Sequence, residues 1–173
     1  TSGIGSATAV RFATEGAKVA ITGRNAERGE QVVRDIEAGG GEALFLRADV
    51  RSAADCRQAV ERTLQRFGKI DLLFNNAGVF HPKSVPDCTE EEWDETIDSS
   101  LKGAFLMSKY VLPSMIERRS GSIIHTSSGW GIQGGDKAAA YCAAKGGLIV
   151  MAKAMAIDHG PQGIRVNCVC PGD

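Results

Sequence analysis

The sequence predicts an α/β protein, a doubly wound parallel sheet with helices on both faces. Three observations carry that prediction. Short runs of Val, Ile, Leu and Phe alternate with stretches of helical length. The runs are near-continuously apolar, as strands buried on both faces are. The residues after each run are polar, small or turn-forming, and no repeat or linker breaks the alternation. A chain of 173 residues suffices for a sizeable core, so the span 1–173 reads as one domain.

The chain opens on Thr1-Ser-Gly-Ile-Gly5, just ahead of Ala7–Phe12, which has the pattern of the first turns of a helix. A glycine pair there lets backbone N–H groups approach an anion at the positive end of the helix dipole. Such a turn normally follows a buried strand, and no strand stands before Thr1. The expectation is a fragment cut inside its anion-binding loop, lacking the strand that should precede it.

Lys18–Thr22 reads as a buried strand, followed by a polar helix from Ala26 to Ala38 that Gly39-Gly-Gly41 ends. Ala43–Leu46 is the next strand. Ser52-Ala-Ala-Asp55 has the form of a capping box opening a helix to Phe67. Asp71–Phe74 is a strand ending in Asn75-Asn-Ala-Gly78, and Thr89-Glu-Glu-Glu92 caps one long helix towards Arg118. Ser122–Thr126 is a strand, Ala138–His159 a helix and Ile164–Cys168 a final strand. In such sheets, with right-handed crossovers, ligands bind beyond the carboxyl ends of the strands. Gly23-Arg-Asn25, Asp49-Val50, Asn75–Gly78, Ser127-Ser128 and Pro171-Gly172 follow the strands, so they are expected to share the edge that holds the site.

A net charge of −1 with no basic stripe argues against a nucleic-acid partner. Lysines interrupt the apolar region Leu148–Ile157, which leads to the expectation that no stretch spans a bilayer. Five scattered cysteines in apolar surroundings suit buried thiols in a reducing cytoplasm rather than a disulfide framework or a metal site. His81, His125 and His159 are not spaced as metal ligands either.

Ser128, Tyr141 and Lys145 follow the spacing Ser-x12-Tyr-x3-Lys. The last two are four apart on a helix and share a face. A hydroxyl, a phenol and an ammonium together suit proton transfer to a carbonyl oxygen, or from an alcohol, while a hydride moves elsewhere. A free phenol has a pKa near ~10, so losing its proton near neutrality needs about 4 kcal/mol. A lysine charge about 5 Å away supplies ~0.8 kcal/mol in bulk water and ~3.3 kcal/mol at an effective dielectric of about 20. Lysine alone in a wet cleft falls short, so the chemistry requires a closed cleft and a further positive charge.

With Ser2-Gly-Ile-Gly5, Asn75-Asn-Ala-Gly78, the Ser-Tyr-Lys set and Pro171-Gly172 in this order, the whole chain resembles a short-chain dehydrogenase/reductase, a family built on a Rossmann sheet and using NAD(H) or NADP(H). The resemblance implies an oxidoreductase moving a hydride between a nicotinamide cofactor and a secondary alcohol or ketone, a 3-oxoacyl reductase among the options. By resemblance Tyr141 is the acid/base, Lys145 holds the nicotinamide ribose and favours the phenolate, and Ser128 orients the substrate oxygen. Ser2, Gly3, Ile4 and Gly5 would line the pyrophosphate. Asp49 and the Val50 backbone would meet the adenine, with Asn76, Ala77 and Gly78 at the adenine ribose and sheet centre. Pro171 and Gly172 would approach the nicotinamide. Family members commonly form tetramers or dimers through the helices at Thr89–Arg118 and Ala138–His159.

Set against the family pattern, the first strand would lie before Thr1 and a substrate-covering segment and last strand after Asp173, so the fragment alone is expected to be a poor enzyme. Inside the chain, Ser100 stands where many members carry an asparagine of a water-linked proton relay, which puts relay efficiency in question. The alternative class is a catalytically silent dinucleotide-binding sensor or scaffold. Between cofactors, Gly23 stands where NAD-preferring members place an acidic residue, and Arg24 follows. A guanidinium there attracts a dianionic ribose phosphate, which favours NADP(H) and leaves NAD(H) open. Trp130, two residues after Ser128, is read as a candidate pocket wall, and Trp93 as helix packing.

Overall fold

The computed structural model describes residues 3–172, within which two compact units divide after Lys69. Each contains only parallel ladders, as the alternation of strand and helix predicts.

The first unit runs α1 (Gly3–Thr14), β1 (Val19–Gly23), α2 (Ala26–Ala38), β2 (Ala43–Arg47) and α3 (Ala53–Phe67). Pleating sends successive residues of β1 and β2 to opposite faces. Val19, Ile21, Ala43 and Phe45 pack with Ala9 and Ala13 of α1 and with Val32, Val33 and Ile36 of α2. Leu44 and Leu46 pack on the other side with Ala48 and with Ala59 of α3. Helices therefore cover both faces of this ladder.

Local chemistry explains the element ends. Asn25 caps α2 by accepting from the Arg28 N–H, and the left-handed residue after that helix is Gly40, at φ 81°. Ser52 caps α3, but the expected reciprocal box is corrected. The Asp55 carboxylate bonds the Asp49 N–H and the Ser52 hydroxyl, while the Ser52 N–H goes to the Asp49 carbonyl. The helix α1 also starts earlier than expected, at Gly3, so Gly3-Ile4-Gly5 is its first turn.

The second unit contains β3 (Leu72–Asn75), α4 (Glu90–Ile97), α5 (Gly103–Arg118), β4 (Gly121–Thr126), α6 (Trp130–Gln133), α7 (Ala139–His159) and β5 (Ile164–Val169). Its strand order is β3-β4-β5, with His125 paired to Asn75 on one side and Cys168 on the other. Leu73, Ile123, His125, Ile164 and Val166 are buried, whereas Leu72 and Val169 on the opposite parity are exposed. Thr89 makes the predicted reciprocal box with Glu92. The single helix expected from Thr89 to Arg118 is corrected: Asp98–Lys102 forms a π-helical turn between α4 and α5. Such turns insert one residue, re-aim the side chains they carry and concentrate at functional sites. This one buries Ser99 and Ser100.

The span Ala139–Gln162 is long and apolar enough to cross a membrane, with mean hydropathy 1.3, which corrects the expectation that no stretch is. In this fold one face of it packs inward: Ala140, Ala144, Lys145, Leu148 and Ala152 are buried and α7 packs on β4, β5 and α6, while Val150 and Ile157 are exposed. Its small residues have internal uses. A Cβ on Gly147 would lie 2.8 Å from Leu101, and one on Gly146 would lie 3.1 Å from the Gly131 carbonyl. All five cysteines are free thiols.

Gly29 lies in α2 against the Phe45 ring, which occupies the space its Cβ would need. Alanine favours a helix by up to about 1 kcal/mol over glycine. Gly29→Ala is nonetheless expected to lower stability by about 1–3 kcal/mol, because the ring must leave its packed position. Urea unfolding checks this.

Candidate active site

The end of β4 and the first half of α7 are clipped together at one residue. Lys145 is 3% exposed, and its ammonium donates to the Thr126 carbonyl at 2.7 Å. The backbone carbonyl of the same lysine accepts from the Ser127 hydroxyl at 2.7 Å. Close approach permits both bonds: a Cβ on Gly131 would lie 2.8 Å from the Lys145 carbonyl carbon and 2.8 Å from Ser127 Oγ. Burial holds the Lys145 pKa below the usual lysine value. The Thr126 carbonyl offsets part of that cost by bonding the charged form.

Of the two adjacent serines, Ser127 is committed to this clip and Ser128 is not. The Ser128 hydroxyl accepts from the Trp130 N–H at 3.2 Å, which leaves its own hydrogen to donate. Tyr141 sits one turn before Lys145 on α7, with the lysine Nζ 5.5 Å from its ring centroid. Two further rings surround the phenol. Phe80 lies 5.1 Å and Trp130 6.4 Å away, centroid to centroid. Phe80 was not foreseen from the sequence; its only signal was an apolar residue two places after Gly78.

Ser100 reaches the same place through the π turn. A Cβ on Gly78 would lie 3.0 Å from Ser100 Oγ and 3.3 Å from Lys145 Nζ, so the absence of a side chain there keeps the three groups together. Ser100 Oγ is buried without a hydrogen-bond partner among the described residues, and so is Thr126 Oγ1. Asn76 is half-buried, and Ala77 and Gly78 are exposed. Pro171 and Gly172 run beside Gly129, whose N–H donates to the Pro171 carbonyl at 2.9 Å.

Asn75 has a task the sequence did not reveal. Its amide lies 3.3 Å from Ser108 Oγ on α5 and 3.3 Å from His125 Nδ1 on β4. With the amide nitrogen donating, His125 Nδ1 accepts and Nε2 carries the hydrogen, buried without a partner. Burial pushes the His125 pKa down to about 4.

In the first unit, Gly3 takes φ 54° with open space where a Cβ would stand, and Ile4 and Gly5 complete the first helical turn. First-turn N–H groups have no partners within a helix, so this turn fits an anion. Ser2 lies outside the described residues. Asp49 is half-buried and bound by Arg51 at 2.6 Å, and it also accepts from the Arg51 N–H at 3.0 Å. Arg51 and, more weakly, Arg24 hold its carboxyl below the usual aspartate value. Val50 is half-buried and accepts from the Cys56 thiol.

Comparison with known proteins agrees with this architecture. The short chain dehydrogenase family model matches residues 1–173. An uncharacterized oxidoreductase of Thermotoga maritima is 41% identical over 99% of this chain and 67% of its own length. A 2,5-dichloro-2,5-cyclohexadiene-1,4-diol dehydrogenase of Sphingobium indicum is 39% identical over 99% of this chain and 68% of its own. The crystal structure of an NAD+-bound xylitol dehydrogenase superimposes with TM-score 0.95 at 36% identity, covering 98% of this chain and 65% of that one. The chain thus spans about two thirds of the length of these relatives. It belongs to the short-chain dehydrogenase family, a Rossmann-fold family of nicotinamide-dependent oxidoreductases.

The buried His125 gives a pH test of this region. Its folded pKa of about 4 lies below the unfolded value of 6.5, so the unfolded chain binds more protons between them. Stability from this group is intact above about pH 6.5 and falls by about 3 kcal/mol as pH drops to about 4. Denaturation between pH 7 and 4 should show this slope, and His125→Asn should flatten it.

Proposed function

We propose that this chain holds a nicotinamide dinucleotide and exchanges a proton with a secondary alcohol or its ketone through Tyr141. One observation carries the reading: a nearly dry ammonium, Lys145, fixed by the Thr126 carbonyl beside a phenol. Removed from water, that charge acts in a low effective dielectric and stabilises negative charge on the phenolic oxygen.

The residues fit such a cofactor. The open first turn of α1 suits a pyrophosphate, and the hydroxyls of Ser100 and Thr126, buried without partners among the described residues, suit a water or ligand oxygen. When bound, the nicotinamide supplies or accepts the hydride. In the oxidative direction the Tyr141 phenolate takes the alcohol O–H proton, and in the reductive direction the phenol returns it to the carbonyl oxygen. Ser128 Oγ–H donates to the substrate oxygen and holds it in line. Ser100 would hold a water towards the Lys145 ammonium, a shorter reach than an asparagine has.

For the cofactor's adenosine end we favour NADP(H). Gly23 ends β1 without a carboxylate, Arg24 follows, and Asp49 already shares its charge with Arg51 and Arg24. Two guanidiniums against one carboxylate suit a dianionic phosphate. The NAD+-bound xylitol dehydrogenase makes NAD(H) the competing outcome.

Tyr141→Phe is expected to lower kcat about 10²–10⁴-fold while leaving cofactor binding in place. Reduced-cofactor absorbance with a panel of ketones measures the first, and cofactor fluorescence titration the second. Cofactor binding by the wild-type protein without turnover of any ketone would instead favour the silent sensor or scaffold. Arg24→Ala should weaken NADP(H) at least about tenfold more than NAD(H), the loss of a charge-assisted contact to phosphate. Equal losses would reverse the preference.

A further inference from the structure

The proposed function gives no task to two of the three rings that meet at the phenol. Phe80 and Trp130 stand 5.7 Å apart at 74°, Trp130 meets Tyr141 at 90°, and Phe80 tilts 57° to Tyr141. Edge-to-face pairs leave ring faces open for a further partner. Phe80 keeps 42% of its surface exposed although it touches the phenol.

Both rings are held in place. The indole of Trp130 packs against Gly135, where a Cβ would fall 2.7 Å from Cε3. Phe80 belongs to a segment tied down just beyond it. His81 Nε2 lies 3.1 Å from Glu95 Oε2 on α4, and Lys83 bridges to Ala138 at the start of α7.

We propose that Phe80 and Trp130 form an aromatic wall that selects alicyclic substrates, secondary alcohols on a saturated ring and the corresponding cyclic ketones. A saturated ring presents several C–H bonds at once to the negative faces of aromatic rings. It also has fewer torsions to freeze than an open chain of equal carbon number, so less entropy is lost on binding. An open-chain polyol would leave hydroxyls unpaired against the wall, which is costly. The proposal rests on proton exchange at Tyr141, because the wall is placed to hold a ring whose oxygen faces that phenol.

The test compares cyclohexanone with 2-hexanone, which share a carbon number, at saturating reduced cofactor in the purified enzyme. The ratio of their kcat/KM values should exceed about ten in the wild type. It should fall about tenfold in Phe80→Ala and in Trp130→Ala, chiefly through KM for the cyclic ketone, and recover in Trp130→Phe. A purely structural role would move both ketones together, and a ratio within about twofold of wild type in both alanine variants overturns the proposal. Thermal unfolding and cofactor binding establish that each variant is folded. Phe80→Leu keeps an apolar side chain without the ring, and should also lower the ratio.

A second measurement is independent of turnover. The chain has two tryptophans, so in a Trp93→Phe background the emission reports Trp130. Saturable quenching by cyclohexanone at concentrations where 2-hexanone has no effect supports the wall, and equal quenching by both overturns it. Loss of the Tyr141 requirement would instead overturn the proton-exchange reading, whichever way the ratio moves.

Discussion

The site depends on one hydrogen bond, from the Lys145 ammonium to the Thr126 carbonyl at the last residue of β4. A lysine buried to this degree without a partner would lose its proton or force the structure open, since an isolated charge in a dry interior is very costly. The carbonyl lets the charge stay inside. The Ser127 hydroxyl, bonded to the backbone of the same lysine, fixes the helix while the side chain fixes its head group. Two bonds at one residue therefore set the depth and rotation of α7, and Tyr141, one turn away, inherits that placement. Gly131 and Gly146 contribute by having no side chain, which allows the backbones to approach closely enough for both bonds.

Around this clip the protein tolerates polar groups that a purely structural core would avoid. Ser100 Oγ, Thr126 Oγ1 and His125 Nε2 are buried without partners among the described residues. Each unsatisfied group costs about 1–3 kcal/mol. The π turn that buries Ser100 also interrupts a helix that its sequence could otherwise continue. Such local costs cluster where a ligand or water completes the bonding. His125 differs, because it is joined to Asn75 and Ser108 in a network that ties β3, β4 and α5 together behind the site.

Much of the fold was legible in the sequence because its signals are local. The bounds of α2, Ala26–Ala38, follow from its polar helical pattern and the glycines after it, and Thr89 with Glu92 announces its box, whereas the Asn25 cap is visible only in the structure. The spacing of Ser128, Tyr141 and Lys145 is also a local matter, with four residues making one helical turn. What stayed hidden depends on contacts between distant segments. The π turn inside Thr89–Arg118 leaves no mark in hydrophobic spacing. Asp55 was assigned to the wrong N–H because an aspartate can serve either its own cap or the preceding loop, and only the path of Asp49 decides. The tasks of Asn75, Ser127, Gly131 and Phe80 likewise arise only when strands and helices far apart in the chain meet.

The most direct measurement is single-turnover hydride transfer in Lys145→Met, which keeps the length and apolar stem of the side chain but removes its charge. With folding verified by circular dichroism and with substrate and cofactor saturating, the account predicts a chemical step slowed by at least about a hundredfold. A folded Lys145→Met protein that transfers hydride at the wild-type rate would contradict it.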